Sequence, residues 1–166
     1  MRALGVDPGL RRTGWGVVEM SGSRLVFIAC GTIAPPVDGD MGVRLNALQA
    51  GVDALLIEHR PDGAAIETPF VNANAQSSMK LGMAWGVAAA AAARAGLPVT
   101  EYAPRLVKKA IVGAGGAEKA QVAAMVARLL PTAGAPTADA ADALAVAICH
   151  LHHARSSRAA AGSAAA

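Results

Sequence analysis

The chain has 166 residues, a formal net charge of +3 and a hydrophobic fraction of 54% with only 3% aromatic residues. That length and apolar content fit one globular domain with a sizeable core and exclude a wholly disordered chain. Alanine supplies much of the apolar count, so the core is expected to be rich in helices and small side chains. The basic balance, with a pI near 9.2, permits a polyanionic partner without requiring one.

Three strand-like segments come first: Arg2–Asp7, Thr13–Met20 and Arg24–Ile33. The tight Ser21-Gly22-Ser23 connection predicts an antiparallel meander. Asp7 ends the first segment and is followed by Pro8-Gly9. Asp-Pro-Gly is ordinary turn chemistry, yet a carboxylate at the end of a buried strand is costly unless it is paired or binds a metal. From Met41 to Arg60 the residues Val43, Leu45, Leu48, Val52, Leu55 and Leu56 recur at helical spacing, and Pro61-Asp62-Gly63 breaks that helix. GAAIE then reads as a short buried strand ending on Glu67.

A long helix follows from about Asn74 to Ala95, stopped by Gly96 and Pro98. Its charge-free stretch LGMAWGVAAAAAA is shorter than the ~20 residues a membrane span needs, so no membrane segment is expected. Leu97–Tyr102 fits a fifth strand. Helices fit Pro104–Val112, Ala117–Leu130 and Thr137–His153, with GAGG and PTAGAP as loops. Residues 1–154 are expected to form the domain, and 155–166, low in complexity, a disordered tail. MRALGVD has no signal-peptide pattern. Cys30 and Cys149 each sit in an apolar segment, as reduced thiols of a cytoplasmic protein do.

Strand–helix–strand units give right-handed parallel crossovers, so the fold class is α/β, a five-stranded mixed sheet with helices on both faces. The first strand would lie antiparallel to the second and parallel to GAAIE. If those parallel strands are neighbours, Asp7 and Glu67 finish side by side at the carboxyl edge, where ligands of open α/β sheets usually sit. In TADAADALAVAICH, Asp139 and Asp142 are three residues apart and share one helix face. They could simply complement the helix dipole. However, Leu144, Val146 and Ile148 leave little of that helix free for solvent. Should it pack across the carboxyl edge, Asp7, Glu67, Asp139 and Asp142 would meet. Four such acids repel one another unless a counter-charge intervenes. An all-oxygen set suits Mg²⁺ or Mn²⁺, and two ions ~4 Å apart serve an in-line phosphoryl displacement.

Four blocks, LGVDPGLRRTGWGVVE, AIETPFVNANAQSSMKLGMAWG, PVTEYAPRLVKKAIVGAGGAEKAQV and ADAADALAVAICH, resemble the RuvC family of Holliday-junction resolvases, in family order over residues 2–153. The resemblance implies a ribonuclease-H-like fold and a homodimer. It also implies Mg²⁺-dependent nicking of four-way DNA junctions in recombination and repair, with Mn²⁺ able to substitute. Paired nicks of like polarity would leave 5′-phosphate and 3′-hydroxyl ends, and a branch-migration motor would be a partner.

By the same resemblance the catalytic, metal-binding acids are Asp7, Glu67, Asp139 and Asp142, with two ions per site. Phe70 is the aromatic pressed against an unstacked base, and Lys108 and Lys119 are the functional lysines. Some relatives have a lysine where this chain has Ala73, which leaves that loop's phosphate contact open. Arg105 and Lys109 are further cations for phosphates, with Arg11 and Arg12 beside Asp7 as weaker candidates; solvated surface charge is the plainer account of all of these. Met79, Met83, Trp85 and Val87, interspersed with Gly82 and Gly86, are expected at the dimer interface, the alternative being burial within one subunit. His150, His152 and His153 read as surface or partly packed residues outside the site.

Three other functions fit parts of the pattern. An ATP-binding protein of the actin or sugar-kinase type shares the early strand and turn, but clamps nucleotide between two such domains. An RNA-trimming nuclease would share acids and scaffold. A catalytically dead junction-binding module would not need all four acids.

Overall fold

Alternating apolar residues in the first thirty positions build an antiparallel meander of β1 (Arg2–Asp7), β2 (Thr13–Ser21) and β3 (Arg24–Ile33). The computed structural model describes residues 1–69 and 74–164, with side chains through residue 157. After the meander come α1 (Met41–His59), β4 (Gly63–Glu67), α2 (Ala75–Arg94), β5 (Val99–Tyr102), α3 (Pro104–Val112), α4 (Lys119–Leu129) and α5 (Ala138–Ala164). The strand order is β3-β2-β1-β4-β5; β1 pairs antiparallel with β2 and parallel with β4, and β4 pairs parallel with β5. This is the expected mixed sheet.

Strand residues alternate between two cores. Leu4, Val6, Val17 and Ile66 face α1 and α2, meeting Leu48, Val52, Ala84 and Ala88. Ala3, Val18 and Ala65 face the other way, into a core with Val107, Val126, Leu144 and Ile148. Helices therefore cover both faces.

Helix ends follow local chemistry. Asp40 caps α1 by accepting a hydrogen bond from the Val43 N–H at 2.8 Å. That helix ends at His59, because Arg60 turns left-handed with φ 46°. Asn74 caps α2 through Ser77 N–H at 3.0 Å. Glu118 and Gln121 form a reciprocal capping box, so α4 begins at Lys119 and not at Ala117. β5 begins at Val99, two residues later than expected, and the Leu97 N–H bonds to Ala92 O at the end of α2.

The backbone of α5 runs on to Ala164; alanine has the highest helix propensity, and an existing helix extends without a new nucleation step. One expectation needs correction. His150 is buried, its Nδ1 3.1 Å from the Tyr102 hydroxyl, because the Tyr102 side chain, at the end of β5, reaches the ring edge-on. Cys149 is buried and Cys30 half-buried, and neither forms a disulfide. No helix among the described residues is long and apolar enough to cross a membrane.

Candidate active site

Asp7 and Glu67 are brought together by strand register. Val6 pairs with Ile66, and one residue further both strands end. Asp7 lies two residues beyond Gly5, and Glu67 two beyond Ala65, so the two acids belong to the face that α5 covers.

Glycines decide how closely α5 approaches. A Cβ on Gly5 would collide with the Ala143 carbonyl oxygen, one on Gly14 with the Asp139 carbonyl, and one on Gly16 with the Leu144 side chain at 2.7 Å. Gly5 and Gly16 are themselves partners across the β1–β2 ladder, and Gly14 pairs with Asp7. The helix thus lies directly on the strand backbones. Thr137 starts it, accepting a hydrogen bond from the Ala140 N–H at 3.3 Å, and Asp139 and Asp142 fall in its first turns. Sequence reasoning missed this bed. The signal was there in the alternation TGWG, since glycine inside a strand often marks another backbone close by.

The acids sense one another. Burial, then the charge of Asp142 and Asp139, pushes the Asp7 carboxyl up to about 6, against the lowering pull of Lys119. Burial, then Asp7 and Asp142, raises Glu67 to about 7, opposed by Lys119 and Lys108. The ammonium of Lys119 lies 2.7 Å from Asp142 Oδ2, with Lys119 79% and Asp142 22% exposed. The hydrogen bond to Asp142 holds the Lys119 ammonium more firmly protonated. So exposed a pair contributes little to stability. Its placement matters more, because it brings a cation to the rim of the acids.

Glu67, Asp142, Lys108 and Lys119 line a recess of about 160 Å³ floored by Val107, Val122 and Ala145. On the other side of the acids, Arg11, Arg12 and Asp139 line a recess of about 480 Å³. Arg105 and Lys109 are exposed on α3 and line neither recess. Phe70 and Ala73 lie outside the described residues. His150 sits further along α5, tied to Tyr102 and away from the acids, and burial with the neighbouring His153 lowers its pKa.

The donor set is purely carboxylate, which suits a hard divalent cation. Burial first, and then mutual repulsion, raises the pKa of two of its members, Asp7 and Glu67. Among the described residues, no three His, Cys, Asp or Glu side chains are gathered closely enough to enclose an ion as they stand. The chemistry of the set fits a metal; a closed shell needs the side chains to shift.

On α2, Met79 is 56% exposed and Met83 half-buried, and a Cβ on Gly82 or Gly86 would meet open space. Trp85 and Val87 are half-buried and pack in part against the chain's own α1-facing core.

A mixed sheet in this order, with acids at the carboxyl ends of β1 and β4 and on the helix lying across them, defines a ribonuclease-H-like scaffold. Residues 3–150 match the family model described as crossover junction endodeoxyribonuclease RuvC. A protein of that name from Azorhizobium caulinodans is 58% identical over 153 residues, 92% of this chain and 90% of the relative. Another from Maricaulis maris is 59% identical over 155 residues, 93% of each. The chain belongs to the RuvC family. Among solved structures, Thermus thermophilus RuvC in complex with Holliday junction substrate superposes with a TM-score of 0.88 at 34% identity, covering 95% of this chain and 96% of that one. The yeast mitochondrial Holliday junction resolvase shares the fold, with a TM-score of 0.65 at 13% identity.

Proposed function

We propose that this chain is a metal-dependent endonuclease that resolves four-way DNA junctions, acting as a homodimer whose two sites nick opposite strands. The observation that carries this reading is the meeting of Asp7, Glu67 and Asp142, with Asp139, at one sheet edge, flanked by cations on both sides. The RuvC relatives bear the corresponding name, and the Thermus thermophilus protein holds a Holliday junction. The described sheet with its helices acts as the nuclease domain.

Asp7, Glu67, Asp139 and Asp142 would hold one or two Mg²⁺ ions, with Mn²⁺ able to take their place. When bound, the metal supplies Lewis-acid activation of water and charge neutralisation at the phosphate. The chain's own residues do the rest. Glu67 and Asp7 would hold the ion as carboxylates, the form that a divalent charge favours. Lys119, released from Asp142, and Lys108 on the same recess face the scissile phosphate and offset its charge. Arg11 and Arg12 neutralise backbone phosphates beyond Asp139, and Arg105 and Lys109 those of an arm running over α3. Phe70 is assigned to the unstacked base near the crossover, where strained stacking lowers the cost of opening. The products are 5′-phosphate and 3′-hydroxyl ends. Met79 and Met83 on α2 form the centre of the dimer contact, with Trp85 and Val87 contributing only what the subunit's own core leaves uncovered. The junction's branch-migration motor is the expected protein partner, in recombination and repair.

The test is a nicking assay on synthetic four-way junctions with Mg²⁺, run beside linear duplex and structured RNA. Paired symmetric nicks confined to the junction support the reading. Equal cleavage of duplex or RNA, or none of the junction, overturns it.

A further inference from the structure

The segment between Asp7 and β2 is held far more firmly than a surface loop with two exposed arginines needs to be. Thr13, fully buried, closes it from one side: its hydroxyl donates to the Gly9 carbonyl at 2.8 Å and accepts from the Gly9 N–H at 3.2 Å. A Cβ on Gly9 would collide with the Arg12 carbonyl oxygen, so the loop is folded tightly on itself. Leu10, 7% exposed, packs into the core shared with α1 and α2. From α1, Arg44 reaches across thirty-four positions of sequence to donate from Nη2 to the Leu10 carbonyl at 2.9 Å.

Arg44 is poorly placed for its helix. It lies in the first turn of α1, its N–H bonded to the Asp40 carbonyl, where the dipole disfavours a cation. Its Nε is buried with no hydrogen-bond partner among the described residues. Neither feature helps α1. The contact with Leu10 does something else: it fixes the stretch from which Arg11 and Arg12 project, exposed, beside Asp139.

We propose that Arg44 and Thr13 are positioning residues that lock the Pro8–Arg12 loop, so that Arg11 and Arg12 form a preorganised subsite for DNA backbone phosphates flanking the scissile one. The inference rests on the nuclease reading above. Neither residue touches the nucleic acid. Their contribution is to remove in advance the backbone disorder that a free loop carrying two cations would lose on binding.

Two measurements test this. The first is amide hydrogen exchange over residues 9–12 in the free protein, for Arg44→Gln and Thr13→Val with Arg44→Lys and Thr13→Ser as conservative controls. The second is junction affinity across a salt series for the same variants, repeated in an Arg11→Ala/Arg12→Ala background. Arg44→Gln and Thr13→Val are expected to speed exchange in the loop, weaken junction binding by about 5- to 20-fold and shallow the salt dependence by up to about two phosphate contacts. The conservative controls should recover most of this. In the background lacking both arginines, Arg44→Gln should cost nothing further. Unchanged exchange or affinity in both Arg44→Gln and Thr13→Val, or an undiminished loss in that background, overturns the proposal. Should one variant fail to fold, the other residue's pair decides. A wild-type chain that does not bind junctions overturns the functional reading, while exchange in the free protein still judges the tether.

Discussion

The carbonyl of Asp139 rests on the backbone of Gly14, the residue that faces Asp7 across the β1–β2 ladder. Backbone is in contact with backbone there, so the distance between the last helix and the end of β1 is set by the absence of a side chain. Gly14→Ala must lift the start of α5 or bend β2. Overpacking of this kind costs about 1–3 kcal/mol, readable as a lower denaturant midpoint. Because the shift falls between Asp7 and Asp139, cleavage should fall further than stability explains, at temperatures where the variant is fully folded. A variant that loses stability alone would mean that the acids tolerate the displacement.

The two half-buried acids make stability depend on pH. The native Asp7 carboxyl titrates near 6 and that of Glu67 near 7, above their ordinary values of 3.8 and 4.5. The native state therefore holds more protons than the unfolded chain between these limits. Stability of the metal-free protein should fall as pH rises from about 4 to about 7, by on the order of 2 kcal/mol in total for two partly solvated groups, and then level off. Mg²⁺ added at pH 8 should raise the melting temperature more than at pH 5. A flat profile from pH 4 to 7 would show that neither burial nor mutual repulsion raises these two acids.

Asp7→Asn separates binding from chemistry. The amide keeps the shape of the carboxylate, removes the charge facing the DNA and cannot replace it as an anionic ligand. Cleavage of a synthetic junction should drop by about 100-fold or more, while gel-shift affinity holds or improves. The same substitution should remove part of the decline in stability above pH 4. Cleavage near the wild-type rate would take Asp7 out of the reaction.

The ends of β1 and β4 were legible in the sequence because Asp7 and Glu67 each close a short apolar run, and the order of elements makes those runs parallel neighbours. The spacing of Asp139 and Asp142 on an otherwise apolar helix was equally plain. What joined the two halves of the site was not read, because it depends on Gly5, Gly14 and Gly16 carrying nothing, and periodicity scans count side chains. His150 was misread for a related reason. One histidine in a run of three at a helix end looks solvated, and only the long-range approach of Tyr102 gives its ring a buried partner. For α2, sequence alone does not distinguish a face turned to the subunit's own core from one turned to another chain.

That distinction yields the last prediction. Around α2, Ala84, Ala88, Ala91 and Ala92 are buried, while Met79, Gly82, Met83 and Gly86 occupy the opposite side at helical spacing. No acidic or basic residue interrupts those four positions, and the open space beside both glycines lets another helix come close. Met83→Glu would place a charge at the centre of that strip without touching the buried alanines, so the subunit should fold with little change in melting temperature. A charge desolvated in a subunit contact without a partner is heavily penalised. Light scattering should then give a dimer mass for the wild type and a monomer mass for Met83→Glu at the same concentration, and paired nicking of a junction should give way to uncoupled single nicks. If Met83→Glu remains fully dimeric, the contact lies on another face of the molecule.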